Sequence, residues 1–192
     1  MNATQKKTTA IDKTIAKHIL GKDLIRVART VKDGEKNARG FILGVSKELL
    51  LIQREVDFAL DGYVILRRDQ IGPIRCNKFD ESGKKILMAE GILEKQLGLK
   101  KKIDLNSWKT VFENLKKFDL HATVECENLR KPQFVIGSIE QVAKDHAKLR
   151  NYDATGLLDD KLTTVKFKDI TMVTFGDRYS TVFRRHLEVK IS

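Results

Sequence analysis

Residues 57–74 read DFALDGYVILRRDQIGPI. Three aspartates, Asp57, Asp61 and Asp69, punctuate one hydrophobic run. They are either the ligands of a cation or the turns of a β structure. A hard cation needs several converging oxygens, and this spacing is not that of a calcium loop. Asp61-Gly62 is instead a turn signal, because glycine supplies positive φ and aspartate bonds its own local backbone. GYVILRR (62–68) alternates, with Tyr63, Ile65 and Arg67 on one face and Val64, Leu66 and Arg68 on the other. IGPIRCNKF (71–79) reads as a further strand, which is placed at a sheet edge or starts late because Pro73 lacks a ladder donor. Asp57 and Asp61 are therefore expected before a strand, with Asp69 at the tight turn that follows it. The stretch reads as the closing strand pair of a small β unit.

Upstream, LIRVARTV (24–31), ARGFILGVS (38–46) and KELLLIQREV (47–56) carry strand character, with turns at KDGEKN (32–37) and at Ser46-Lys47-Glu48. Ile11, Ile15, Ile19 and Leu20 follow a helical period over Ala10–Leu20, and Gly21 is placed to end that helix. Residues 1–9 are polar and are expected to form a disordered arm. The period changes over 80–117, where ESGKKILMAEGILEKQLGL and LNSWKTVFENLKK read as two helices, the second capped by Asn106 or Ser107. Strands resume with FDLHATVECEN (118–128), FVIGSIEQVA (134–143), a strand within 144–156, and KLTTVKFKDITMVTFGD (161–177). RYSTVFRRHLEV (178–189) is a closing helix or strand.

The two sets of strands share an order. GFILGV (40–45) answers FVIGSI (134–139), and GYVILRRDQIGPI (62–74) answers TTVKFKDITMV (163–173). A basic–acidic pair, Arg68-Asp69 or Lys168-Asp169, recurs between two short strands, so a divergent duplication is expected. The fold class is thus mainly β. Two small five-stranded barrels (10–79 and 118–192) are expected, joined by a helical linker (80–117) and preceded by a short N-terminal helix.

The motifs ILGVSKELLLI and VILRRDQIGPI, behind a leading helix, resemble those of the Sm-like family of small barrels, with SH3-like barrels close by. The resemblance covers roughly residues 10–79 and more weakly 118–177. It implies barrel folding and, in the RNA-binding members, a uridine pocket built from the turn after the bent second strand and the turn between the last two strands. This chain departs at those places. It has Lys47 and Glu48 in the first, Asp69 where the family has glycine, and Lys144, Asp145, His146 and Lys168-Asp169 in the second half.

Lys plus Arg outnumber Asp plus Glu by 37 to 26, a net charge of +11. Residues 1–40 carry ten basic against four acidic groups, 81–120 nine against six, and 161–192 seven against three, while 121–160 carry five against seven. The excess therefore sits at the ends and in the middle, which points to basic arms and a basic linker and makes polyanions the natural partners. The candidate nucleic-acid-binding residues are Lys100, Lys101 and Lys102, Arg26, Arg29 and Arg39, and Arg184 and Arg185. Lys6, Lys7, Lys13 and Lys17 add charge to the leading arm and helix. Tyr63, Trp108, Tyr152 and Tyr179 are the rings that could stack on bases, with Trp108 expected to pack on the helical segment instead.

No catalytic motif is present: neither a phosphate-binding glycine loop, nor a dinucleotide fingerprint, nor a nucleophile elbow. His18, His121, His146 and His186 show no ligand spacing, and Cys76 and Cys126 read as inert thiols, so no metal and no cofactor is expected. Two isolated cysteines fit a reducing cytoplasm. No apolar run is long enough to span a membrane, and no membrane partner is expected. The expectation is a non-enzymatic cytoplasmic protein that binds RNA or another nucleic acid through its basic arms and linker. The alternative is a protein-interaction or scaffold module that self-associates through its strands.

Overall fold

The stretch 57–74 supplies a hairpin turn, one long strand and one edge strand, but its two strands do not pair with each other. The computed structural model describes residues 3–188, with side chains from Ala10 onward. Its elements are α1 (Ala3–Gly21), β1 (Leu24–Val31), β2 (Gly34–Val45), β3 (Leu49–Val56), β4 (Ala59–Arg67), β5 (Ile71–Arg75), α2 (Lys78–Ala89), α3 (Ile92–Gln96), α4 (Trp108–Lys117), β6 (Ala122–Cys126), β7 (Gln133–Val142), β8 (His146–Asn151), β9 (Thr163–Lys166), β10 (Met172–Phe175) and α5 (Arg178–Phe183). One-turn 3-10 helices lie at Arg68–Gln70, Phe167–Asp169 and Arg184–His186. α1 thus begins at Ala3, within the segment expected as a disordered arm.

The expected pair of barrels is not formed. All ten strands join one antiparallel sheet in the order β5-β1-β2-β3-β4-β10-β6-β7-β8-β9, and it does not close. The physical cause is the 3-10 turn at Arg68–Gln70. It carries the chain from β4 across to β1, where β5 pairs through Val27↔Ile74. The outer edge of β4 is left with unpaired backbone groups, which must find partners. β10 supplies them, from Met172↔Leu66 to Phe175↔Tyr63, and on its other side pairs with β6. Each half keeps the same strand path, β5-β1-β2-β3-β4 and β10-β6-β7-β8-β9. The helical segment is not a linker between separate bodies either, since α4 buries Trp108, Val111, Phe112 and Leu115 in the main core. The first expected helix of that segment is split between α2 and α3 at Gly91, which takes a left-handed φ of 67°.

The three aspartates are apart in role. Asp57 and Phe58 form a two-residue hairpin turn between β3 and β4 with φ of 47° and 60°, as a type I′ turn requires. Phe58 tolerates this unusual conformation with its N–H donated to Glu55 Oε1 at 2.8 Å. Asp61 lies inside β4, not in a loop before it, at a register shift opposite Gln53–Glu55. Its Oδ1 accepts from the Arg178 N–H at 2.6 Å and so ties β4 to α5. Asp69 holds the Arg67 guanidinium.

β3 and β4 are buried on both faces, which explains why LLLI (49–52) and YVIL (63–66) are continuous apolar runs. Leu50, Ile52, Val64 and Leu66 pack with Ile15 of α1 and with Ile25 and Val27. Leu49, Leu51, Tyr63 and Ile65 pack on the other side with α4 and the strands of the second half. A buried ion pair also clasps the halves. Arg29 of β1 donates through two nitrogens to Glu127, which in addition accepts from Lys36 Nζ at 2.7 Å and Thr171 Oγ1 at 2.7 Å.

Candidate nucleic-acid interface

The basic residues singled out in the sequence do not converge. Arg29 is 3% exposed and committed to Glu127. Arg39 pairs with Glu55 and approaches Asp80, and Arg184 holds the Asp119 carboxylate. Arg26 is half-buried, with its Nε enclosed and unpartnered. Arg29, Arg39 and Arg184 are thus already engaged by carboxylates within the fold, whereas Arg26 has no ion-pair partner among the described residues. Lys100, Lys101 and Lys102 are exposed between α3 and α4, where Lys101 also lies 5.1 Å above the Phe118 ring. Arg185 is exposed beside α5. The side chains of Lys6 and Lys7 lie outside the described residues. Of the rings expected to stack, Trp108 is in the core, and Tyr63 is buried with its hydroxyl donated to Gly98 O at 2.8 Å. Tyr152 is buried as well, its phenol pushed up to about 12 chiefly by burial. Only Tyr179 is exposed, at 50%.

One concave region, of about 520 Å³, is lined by Lys95, Lys100 and Lys101 with no carboxylate, its cations all drawn from residues 95–101. Two others remain to be weighed. The larger is a cleft of about 800 Å³ on the sheet between the halves. Arg29, Lys36, Arg39 and Arg54 line it, but so do Glu55, Glu125, Asp153 and Asp177. Its charges cancel, and three of its four cations, Arg29, Lys36 and Arg39, are already paired, so it does not attract a polyanion.

The smaller region, of about 630 Å³, has the opposite chemistry. Lys47, Arg67, Lys109, Lys144 and Lys168 line it against only two carboxylates, Glu48 and Asp69. Local structure explains each position. Lys47 sits at the tip of the β2–β3 turn, which is held by Ser46: its Oγ accepts from the Glu48 and Leu49 N–H groups at 3.2 and 3.0 Å. Lys144 sits on the β7–β8 turn, closed by Ala143 N–H donating to His146 O at 2.9 Å. Arg67 leads into the first 3-10 turn and Lys168 lies within the second. The two meet directly, with Arg67 Nη1 donating to Lys168 O at 2.8 Å. The hydrogen bonds that Arg67 donates to the Asp69 carboxylate hold its guanidinium protonated even more firmly than usual. Lys109 stands in the first turn of α4, behind the Ser107–Thr110 capping box. Phe167 and the edge of Trp108 form the apolar floor.

Lys47, Lys109, Lys144 and Lys168 are exposed, and no ion pair at this groove engages Lys47, Lys144 or Lys168 among the described residues. Lys109 makes only an exposed pair with Glu113 at 3.5 Å, of little energetic weight. The groove thus draws loose cations from the corresponding turns of both halves. The sequence held a signal for it. That signal is the basic residue in each of the turns at Lys47-Glu48, Lys144 and Lys168-Asp169.

No protein-family model matches this chain, and no curated protein or solved structure matches it. Among the described residues no helix is long and apolar enough to cross a membrane.

Proposed function

We propose that the protein binds nucleic acid, with single-stranded RNA as the expected ligand, along the groove of Lys47, Arg67, Lys109, Lys144 and Lys168. The observation that carries this reading is the groove's excess of cations over carboxylates, five to two, gathered from both halves. Flexible lysines neutralise phosphates without reading sequence, so affinity should be broad in sequence and steep in salt. Two free thiols fit action in the reducing cytoplasm.

The test is fluorescence anisotropy with a labelled mixed-sequence RNA at low and moderate salt. Wild type is expected to bind in the micromolar range at low salt. Each phosphate contact to a single strand contributes about 0.7 to the slope of log affinity against log salt. Lys47→Glu/Lys144→Glu/Lys168→Glu is therefore expected to weaken binding and flatten that slope by about 2. Changing Lys100, Lys101 and Lys102 to Glu should do less. Equal binding by the groove variant, or none by wild type, would overturn the proposal.

A second reading rests on the β4·β10 junction. β9 and β5 hold the corresponding places in the two halves and are the open edges of the sheet. Pairing of β9 with β5 of another copy would repeat the junction already seen inside the chain. Pro73 and Lys166 on those edges oppose it, so self-association is expected only at high concentration. Sedimentation of nuclease-treated protein measures it, and a monomer mass throughout would remove this reading.

A further inference from the structure

Three donor groups of different chemistry meet where α1 ends, β1 begins and β5 ends. His18 lies in the last turn of α1 and is 7% exposed. Asp23 lies in the turn that follows, where Lys22 takes a left-handed φ of 45° and the Asp23 N–H donates to His18 O at 3.1 Å. Cys76 comes directly after β5 and is half-buried. One ligand atom from each residue lies within 4.8 Å of the other two, and this is the one such group of three among the described residues. His18 Nδ1 and Asp23 Oδ2 already stand 3.0 Å apart.

We propose that His18, Asp23 and Cys76 form a zinc-binding site. The tetrahedral bond lengths for sulfur, nitrogen and oxygen ligands put the ligand atoms about 3.3–3.8 Å apart. The His18 and Asp23 atoms stand 3.0 Å apart and all three ligand atoms lie within 4.8 Å of one another, close to that spacing. The donor set decides the metal. A thiolate and an imidazole together select zinc over magnesium or calcium, which take oxygen. Three protein ligands leave the fourth position to water. On binding, the thiol sulfur forms its bond to the metal and its proton leaves to solvent. The metal takes the place of the hydrogen bond between His18 and Asp23. Lys84 is the counterweight, since its Nζ holds Asp23 Oδ1 at 3.0 Å and Gly21 O at 2.6 Å. It orients the carboxylate with Oδ2 toward His18, and its charge weakens the site.

Such a metal would fasten α1 to the end of β5, the edge strand at one side of the sheet. Binding to the folded state alone raises its stability by mass action.

The test uses the full chain, first stripped with chelator. Zinc binding is measured by competition with a chromophoric chelator, and cobalt is used as the spectroscopic probe. One equivalent of zinc is expected to bind, with a rise in melting temperature, and magnesium should not compete. Cobalt should give a sulfur-to-metal charge-transfer band. That band would come from Cys76, because Cys126 is fully enclosed and its thiol is pushed up to about 12 by burial. Cys76→Ser should lose at least about tenfold in zinc affinity and abolish the band, while Lys84→Met should tighten binding. Absence of stoichiometric zinc binding by wild type, or a cobalt complex without the sulfur band, would overturn the proposal. The wild-type spectrum decides even if Cys76→Ser folds poorly.

Discussion

The two halves follow one strand path but are stabilised differently. In the first half, α1 lies over Ile25, Val27, Ile42, Leu50, Ile52, Val64 and Leu66, a core closed by Ile15 at 1% exposure with the partly buried Ile11 and Ile19 beside it. In the second, α4 contributes Trp108, Val111, Phe112 and Leu115 to a larger cluster that also takes Leu49, Leu51, Tyr63 and Ile65 from the first half. The second half therefore completes its core with its neighbour's strands, whereas the first half needs its neighbour mainly to cover one edge and one charge. The lesson is that a repeated path does not make two independent folding units. β3 and β4 serve both cores, and two separate barrels could not bury both faces of the same strands.

The strongest way to break this arrangement is through the charge that clasps the halves. Glu127→Ala leaves Arg29 buried without a counter-charge, a change expected to cost about 3–5 kcal/mol. Urea denaturation measures it. Arg29→Met/Glu127→Met should recover much of the loss, because two apolar groups of similar volume replace two desolvated charges. Neighbouring carboxylates here also titrate in opposite senses. For Glu127, burial alone would raise the pKa, but hydrogen bonds from Arg29, Lys36 and Thr171 outweigh it and the net shift is downward from 4.5. Its contribution to stability is present above that unfolded value and is lost as pH falls through the lower folded one. Glu125 is shifted upward, chiefly by burial and then by the charge of Glu127. Its contribution is present below the unfolded value and is lost as pH rises through the raised folded one. Melting curves across pH should therefore show acid sensitivity that is reduced in Glu127→Ala, with Asp23 among the carboxylates that keep a share of it, and Glu125→Gln should melt higher than wild type at neutral pH. Acid sensitivity unchanged in Glu127→Ala would refute this assignment.

A smaller effect sharpens the correspondence between the halves. Gly40 of β2 faces Ile25 of β1, and Gly137 of β7 faces Ala122 of β6. A Cβ at Gly40 would stand 2.0 Å from Gln53 O, and one at Gly137 1.9 Å from Arg150 O. Backbone must move in both cases. Gly40→Ala and Gly137→Ala are each expected to destabilise by at least the ~1–3 kcal/mol typical of overpacking. Gly44, which interrupts the apolar run of GFILGV (40–45), would meet only Leu105 Cδ1 at 3.1 Å. Gly44→Ala should cost less than either. Equal costs at Gly40 and Gly44 would mean that the halves do not correspond as their strand path indicates.

That glycine shows how far the sequence could be read. β character, the recurring basic–acidic turns, the Ser107 cap and the edge position of Pro73 are local properties, set by alternation, turn chemistry and the missing proline donor. Partner choice between strands is not local. KFKD and RRDQ announce a turn, but not that the turn sends β5 to β1 and leaves β4 to β10. For the same reason Arg29 and Arg39 read as surface cations, since Glu127 and Glu55 reach them only once the sheet is assembled. The turn lysines of the groove were visible as residues, and their meeting was not. His18, Asp23 and Cys76 lack any ligand spacing along the chain, because three separate elements bring them together.

The smallest expected effect concerns the helices that follow each half. β5 ends at Arg75 and Asn77 caps α2, while β10 ends at Phe175 and Asp177 caps α5. The two caps hold the same place in the strand path and do different amounts of work. Asn77 Oδ1 accepts from the Phe79 and Asp80 N–H groups at 3.0 and 3.3 Å, and Asp80 returns a bond to the Asn77 N–H at 3.1 Å. Asp177 accepts from the Ser180 N–H at 3.2 Å and from Ser180 Oγ at 2.6 Å, and it is itself buried. Replacing a capping side chain by alanine costs about 1 kcal/mol. Asn77→Ala should show about that, because Asp80 still bonds the backbone of residue 77. Asp177→Ala should exceed it, since the buried Ser180 hydroxyl also loses its acceptor. Paired urea melts of the two variants decide the matter, and a larger loss in Asn77→Ala would reverse the ranking of the two helices.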